Sequence, residues 1–379
     1  MKERTLMKKI TILALHLNYG GIERFITNLA NSISNDYEVE IVSTYKLLDK
    51  PFFKLNDNIN VKYLITNLKP NRQIIKDCIK RFRLIKLFKE LIKSVKVLYL
   101  KKHLMIKYIK KCDSDIIIST RDIHNIWLGK YAKEGILKIG SEHNDIDSLK
   151  YIKKISSTAK NLDYFVVVSK KMVNDYQSNL NIPVIYIPNS IEYIPINFSN
   201  LNTNNIISVG RLEKVKGYED LIDVFKIVIS NNKDIVLNIV GTGSQESILE
   251  NKIKELKLEN NIKLLGFKDS NELGELYSES SLYVMSSFSE SFGLVLIEAM
   301  SHKLPCIAFD SANGARELIE NANNGFLISN RDKEEMANKI LELIKNKDKI
   351  NFLGENALIT SKRYLSSNTK KKWVDIFEK

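Results

Sequence analysis

Cysteine is scarce in this chain of 379 residues, and Cys78, Cys112 and Cys306 stand at no spacing that a metal centre uses. An odd, scattered set argues against a disulfide framework and for a reducing compartment. None of the five histidines forms an HxxxH pair, so no structural zinc is expected. Proline occurs only six times, and there is no low-complexity tract and no repeat with a period of 20–50 residues. No run of eighteen uncharged apolar residues exists, which excludes a spanning helix. The opening MKERTLMKKITILAL resembles a signal peptide only superficially, because its short apolar run enters HLNYGG without a small-residue cleavage site. A GxGxxG dinucleotide fingerprint is also missing.

What is present is a globular composition, 44% hydrophobic, at a length that suggests two domains. The net charge is +13. Residues 69–111 hold fifteen Lys/Arg against Asp77 and Glu90, so this one segment carries the whole excess and the remainder is balanced.

Short β-type runs alternate with helical patterns through the first half: KITILAL, YEVEIVST, INVKYL, DIIIST, LKIGSE, YFVVVS and VIYIPN. Such alternation predicts a parallel sheet covered on both faces. A looser stretch, Ile187 to Asn205, holds two of the prolines and many asparagines and marks a domain boundary. The pattern then restarts with IISVG, IVLNIVG, IKLLGF, LYVMSS, LPCIAF and GFLI. The expected fold is therefore α/β, with two Rossmann-like doubly wound domains facing across a cleft. They would span residues 1–190 and 191–362, with an apolar helix over 363–379 packing back towards the first. Ligands of such folds sit at the carboxyl ends of the strands.

Four elements fall at those ends. In LNYGGIERF, Gly20 and Gly21 open a helix, which lets a ligand approach the backbone at an anion-favouring terminus; a plain turn explains the pair equally well. In VGRLEKVKG, Arg211 and Lys216 could clamp a diphosphate. VGTGS is a glycine-rich turn. In SESFGLVLIEAM, the amides near Ser291, Phe292, Gly293 and Leu294 lie at a helix start, with Glu290 in the loop before it and Glu298 two turns inside.

The Glu290/Glu298 spacing, read with GGIER, GRLEKVKG, GTGS, GFK and NGARELIENANNGFLI in one order, resembles the retaining glycosyltransferases of family 4, which have the GT-B fold. The resemblance covers nearly the whole chain and is most specific in the second domain. It implies transfer of a hexose or N-acetylhexosamine from a nucleotide diphosphate sugar, expected to be a UDP-sugar, to a surface-glycan acceptor such as capsule or lipopolysaccharide, lipid-linked or oligosaccharide. Carried over residue by residue, Arg211 and Lys216 bind the diphosphate and Glu298 holds the ribose. Glu290 faces the donor sugar beside the amides of Ser291 to Leu294, Gly20 and Gly21 approach from the other wall, and the main chain near Lys268 meets the base. Domain closure would complete the site.

The family's first domain supplies a histidine near the donor sugar. Here Thr120 and Arg121 stand after DIIIST, with His124 three residues on, and His143 ends the next strand. His143 is preferred because it lies at a strand end rather than inside a helix. The DSD at Asp113 to Asp115 precedes a strand instead of ending one, so metal independence is expected, with no cofactor beyond the donor. Two other readings stay open: an epimerase or starch/sucrose-type synthase on the same fold, and a non-catalytic partner subunit.

Residues 71–111 read as basic amphipathic helices, with Ile75, Cys78, Phe82, Ile85, Phe88, Ile92 and Val95 at 3–4 residue spacing. Such a helix either docks its apolar face on the sheet as an ordinary crossover or meets an anionic membrane surface. The latter, at the inner face of the cell membrane, suits a lipid-linked acceptor. Nucleic acid is not expected as a partner, since the segment lacks aromatic interleaving and no nucleic-acid motif is present.

Overall fold

A computed structural model describes residues 7–69, 71–144, 146 and 148–379. The first domain holds strands β1 (Lys9–Ala14), β2 (Glu38–Tyr45), β3 (Asn60–Ile65), β4 (Ile116–Ser119), β5 (Leu137–Glu142), β6 (Tyr164–Val167) and β7 (Val184–Tyr186). Its helices are α1 (Gly21–Ile33), α2 (Arg72–Lys80), α3 (Leu84–Lys111), α4 (Asp122–Tyr131), α5 (Leu149–Ala159) and α6 (Lys170–Gln177). The second domain holds β8 (Asn205–Val209), β9 (Val236–Val240), β10 (Ile262–Leu264), β11 (Leu282–Met285), β12 (Cys306–Phe309) and β13 (Gly325–Ile328). With them come α7 (Tyr218–Asn231), α8 (Glu246–Glu255), α9 (Ser270–Ser278), α10 (Leu294–Ser301), α11 (Asn313–Leu318), α12 (Lys333–Lys345) and α13 (Lys347–Lys362), and a last helix, α14 (Ser366–Phe377), follows.

Every strand read from the sequence is found, in two sheets ordered β3-β2-β1-β4-β5-β6-β7 and β10-β9-β8-β11-β12-β13. All the pairings are parallel. β1 and β4 run almost wholly buried (KITILA, IIIS), as strands covered on both faces must. In each sheet the order reverses beside the first strand, between β1 and β4 and between β8 and β11, which opens a crevice at the carboxyl edge.

The last helix, α14, lies on the first domain. Trp373, Ile376 and Phe377 join the core of Ile10, Ile12 and Phe25, and the Trp373 ring sits 6.0 Å from that of Phe25. The chain thus passes between the domains twice. The two passages are tied together where the Ile191 amide donates to Tyr364 O at 3.0 Å and the Ser366 amide to Ile191 O at 2.8 Å.

Helix α3 answers the crossover question in two parts. Its C-terminal half docks: Met105 and Ile109 are fully buried, and Val97, Leu100 and Leu104 pack on Tyr45 and Ile65. Its N-terminal half carries its apolar residues into solvent. The three cysteines are free and buried.

Candidate active site

A cleft of about 290 Å³ lies between the carboxyl edges of the two sheets. It brings together Gly20 and Gly21 from the loop after β1, Arg211 after β8, Lys268 after β10, and Leu294 and Glu298 from α10. These six sequence-selected positions are separated by up to 278 residues and share one wall-to-wall space because both switch points face it.

Lys216 and Glu290 form an ion pair with each other on the loops that follow β8 and β11, and both side chains are mostly buried. Two contacts hold that geometry. Lys216 ends a short 3₁₀ turn whose next residue, Gly217, has φ 67°, and a methyl group there would run into the Ser286 carbonyl. The Ser286 hydroxyl in turn donates to Lys216 O at 2.9 Å, and the Gly314 amide donates to Glu290 O at 2.8 Å. Arg211 is exposed on the cleft wall.

Glu298 sits two turns into α10, and burial raises its carboxyl above the usual carboxylate range. Arg24 of α1 opposes that shift from across the cleft, with Nη2 3.8 Å from Glu298 Oε1. Gly293 caps α10 in the left-handed conformation, φ 83°. At Phe292 only main-chain amides are expected to serve a ligand. Its side chain is buried and packs edge-on against Tyr364, ring centroids 5.6 Å apart, so only its main chain can face a ligand.

The two candidate histidines lie beneath the cleft and do not line it. His143 ends β5 as expected, but it is buried against Phe25, ring centroids 4.2 Å apart, with Nε2 3.0 Å from Ser141 Oγ. Burial, with Arg121 nearby, pushes its imidazole down to about 3. His124 lies inside α4, 3.4 Å from Thr44 Oγ1, and is likewise pushed down to about 3 by burial, Lys101 and Arg121. Both rings are therefore neutral at physiological pH.

Sequence reasoning missed three features of the site. Arg24 stands one turn after Gly21 in GGIERF; its place on the same face as the glycines was the available signal. Arg121, at the end of β4, donates to Glu23 Oε1 at 2.9 Å, while His16 Nδ1 lies 3.4 Å from the same oxygen. The anion expected at the start of α1 is thus in part the protein's own Glu23 carboxylate, and a methyl group on Gly20 would run into it. Finally, Tyr19 and Phe52 of the first domain meet Phe267 of the second, both with ring centroids 5.5 Å away. Nothing local in the sequence marks that aromatic bridge. Among the described residues no group of three or more His, Cys, Asp or Glu converges as a metal site.

Two facing Rossmann-like domains with their ligand edges turned to one cleft define the GT-B architecture. Residues 189–359 match the family model "Glycosyl transferases group 1". The match covers the second domain, and with glycosyltransferase relatives along the whole chain it supports a transferase. An uncharacterized glycosyltransferase of Haemophilus influenzae is 27% identical over 377 residues, covering 98% of this chain and 100% of the relative. A Campylobacter jejuni α-1,4-N-acetyl-D-galactosaminyltransferase, named for a diNAcBac-PP-undecaprenol acceptor, is 26% identical and covers 98% of both chains. Among solved structures, a variant of Staphylococcus aureus TarM in complex with fondaparinux, α-GlcNAc-glycerol and UDP superposes with a TM-score of 0.79 at 17% identity, covering 98% of this chain and 100% of that one.

Proposed function

We propose that this chain is a retaining glycosyltransferase that moves a hexose or N-acetylhexosamine from a UDP-sugar to a growing surface glycan carried on a lipid at the inner face of the cell membrane. The observation that carries the reading is the convergence of Arg211 and Glu298 in one cleft at both switch points, with the Lys216–Glu290 ion pair behind its wall beside Gly210. The lipid-diphosphate acceptor named for the Campylobacter relative, and the UDP held by the TarM variant, point the same way.

On this reading Arg211 and Lys216 take the donor diphosphate. Lys216 pairs with Glu290, and an incoming phosphate offers it a second anion. As the anomeric C–O bond breaks, negative charge gathers on the leaving phosphate, and cations already in place stabilise it without reorganisation. Each is worth about 3 kcal/mol on the scale of one preorganised donor. Glu298 accepts from the ribose hydroxyls, and Arg24 reaches it from the opposite wall. Glu290 and the main chain of Ser291 to Leu294 orient the sugar and the β-phosphate. The acceptor hydroxyl attacks on the face the phosphate leaves, and its proton passes to that phosphate, so configuration is retained without a protein nucleophile. His143, neutral and packed under α1, supports the wall and does not donate a proton. The diphosphate charge is met by side chains, so no protein-held metal is required.

The test is a panel of UDP-sugars with undecaprenyl-diphosphate-linked acceptors, read by product mass and anomeric configuration. Transfer with retention, absent for Arg211→Ala, is expected. A crystal soaked with UDP that bound the nucleotide away from Arg211 and Glu298 would overturn the reading.

A further inference from the structure

The N-terminal half of α3 has an unusual surface. Ile85, Phe88, Leu91, Ile92, Val95 and Leu98 fall at the spacing of one helical face, and all six are exposed, Ile85 by 80% and Phe88 by 66%. Scattered exposed apolar side chains are ordinary; a continuous stripe over about four turns is not. The stripe is not waiting for α2, because α2 already packs on α3 from another side. There the Asn71 amide donates to Glu90 O at 2.8 Å, and Cys78 is buried. Nor does the sheet cover it. α3 passes the carboxyl ends of β2 and β3 at Val97 to Leu104, and the thirteen residues before Val97 extend about 20 Å beyond that edge. Phe82, 87% exposed, turns the hairpin between α2 and α3 with φ 50°.

Charge says what fits this face. On a helix of about 100° per residue, Lys86, Lys89, Lys93 and Lys96 run along one border of the stripe. Among the described residues, Lys86, Lys89 and Lys96 make no salt bridge, and Lys93 reaches Glu90 only at 4.0 Å. An apolar stripe bordered by uncompensated cations complements a surface that is apolar inside and anionic at its rim.

We propose that the exposed face of the α2–α3 hairpin docks side-on into the interface of an anionic bilayer. The apolar stripe lies at the acyl boundary and the lysines lie on the headgroups. Because the hairpin rises from the carboxyl edge of the first sheet, docking sets the cleft mouth beside the bilayer. The purpose of that placement rests on the lipid-linked acceptor proposed above, but the docking itself rests only on the hairpin.

The experiment uses the full chain and vesicles without donor or acceptor. Flotation with phosphatidylcholine vesicles is compared with mixed phosphatidylcholine–phosphatidylglycerol vesicles. Binding is expected to the anionic vesicles and to weaken with salt. The triple variant Ile85→Ser/Phe88→Ser/Ile92→Ser should lower vesicle binding at least about tenfold, and Lys89→Glu/Lys93→Glu/Lys96→Glu should abolish the preference for phosphatidylglycerol. Both should keep the wild-type circular dichroism and UDP affinity, since none of these residues lines the cleft. The proposal is overturned if wild type ignores anionic vesicles or if the serine variant binds as well. It is also overturned if sedimentation shows a wild-type dimer that the serine variant dissociates, because the face then belongs to a second copy. Each of these outcomes leaves the transferase reading to its own assay.

Discussion

Acidification gives a quantitative test of how His124 and His143 are held. Both are buried, and both imidazoles are pushed down to about 3, by burial first and then by Arg121 and, for His124, Lys101. In the unfolded chain each titrates near its ordinary value, about 6.5. As pH falls below about 6.5 the unfolded chain binds protons that the fold refuses, so stability present at neutral pH is lost progressively down to about pH 3. At pH 5 the gap is about 1.5 pH units at about 1.36 kcal/mol each, or about 2 kcal/mol per histidine and about 4 for the two. Glu142 works the other way, because burial raises its carboxyl and it takes up a proton more readily in the fold. For a domain near 190 residues the net change amounts to a drop in Tm on the order of 10 °C between pH 7.5 and 5. Differential scanning fluorimetry across that range measures it, and His124→Gln and His143→Gln should each flatten the slope by about half. A Tm that stays constant over the range, or glutamine variants with the wild-type slope, would refute this account of both rings. The same shift forbids a kinetic limb near pH 6.5 assigned to His143.

Arg211→Ala and Lys216→Ala should each lower kcat/KM about a hundredfold, near 3 kcal/mol, in the transfer assay. Glu298→Gln should raise Tm, because a desolvated carboxylate is removed, while weakening UDP binding about tenfold by calorimetry. Gly217→Ala should destabilise the second domain by about 1–3 kcal/mol in urea titration, since φ 67° and the Ser286 carbonyl both oppose a side chain. Trp373→Ala should cost about 3–5 kcal/mol of first-domain stability by the same measurement, despite lying far along the chain from that domain.

The strands were legible because buried parallel strands are written as unbroken runs such as IIIS and FVVV, which no other element uses so compactly. The positions of Arg211, Glu298 and Lys268 on the cleft were legible for a related reason. Each follows a strand, and topology sends strand ends to one place. What could not be read was pairing at a distance. The partner of Glu298 is Arg24, and that of Glu23 is Arg121, and neither follows from spacing. Phe292 shows a further limit: its place in the motif did not reveal that its side chain fills the core against Tyr364. The stripe on α3 shows another. Periodicity reveals that a helix has an apolar face, but whether a sheet lies beneath it depends on where the helix leaves the domain.

The two passages of chain between the domains run side by side and are hydrogen-bonded to each other at Ile191, Tyr364 and Ser366. They therefore behave as a hinge with two pins on one line. Rotation about that line bends two short tethers, whereas sliding or twisting would stretch one against the other and break their mutual hydrogen bonds. Closure of the lobes would then follow one easy degree of freedom, carrying opposing residues such as Arg24 and Glu298 along one repeatable arc.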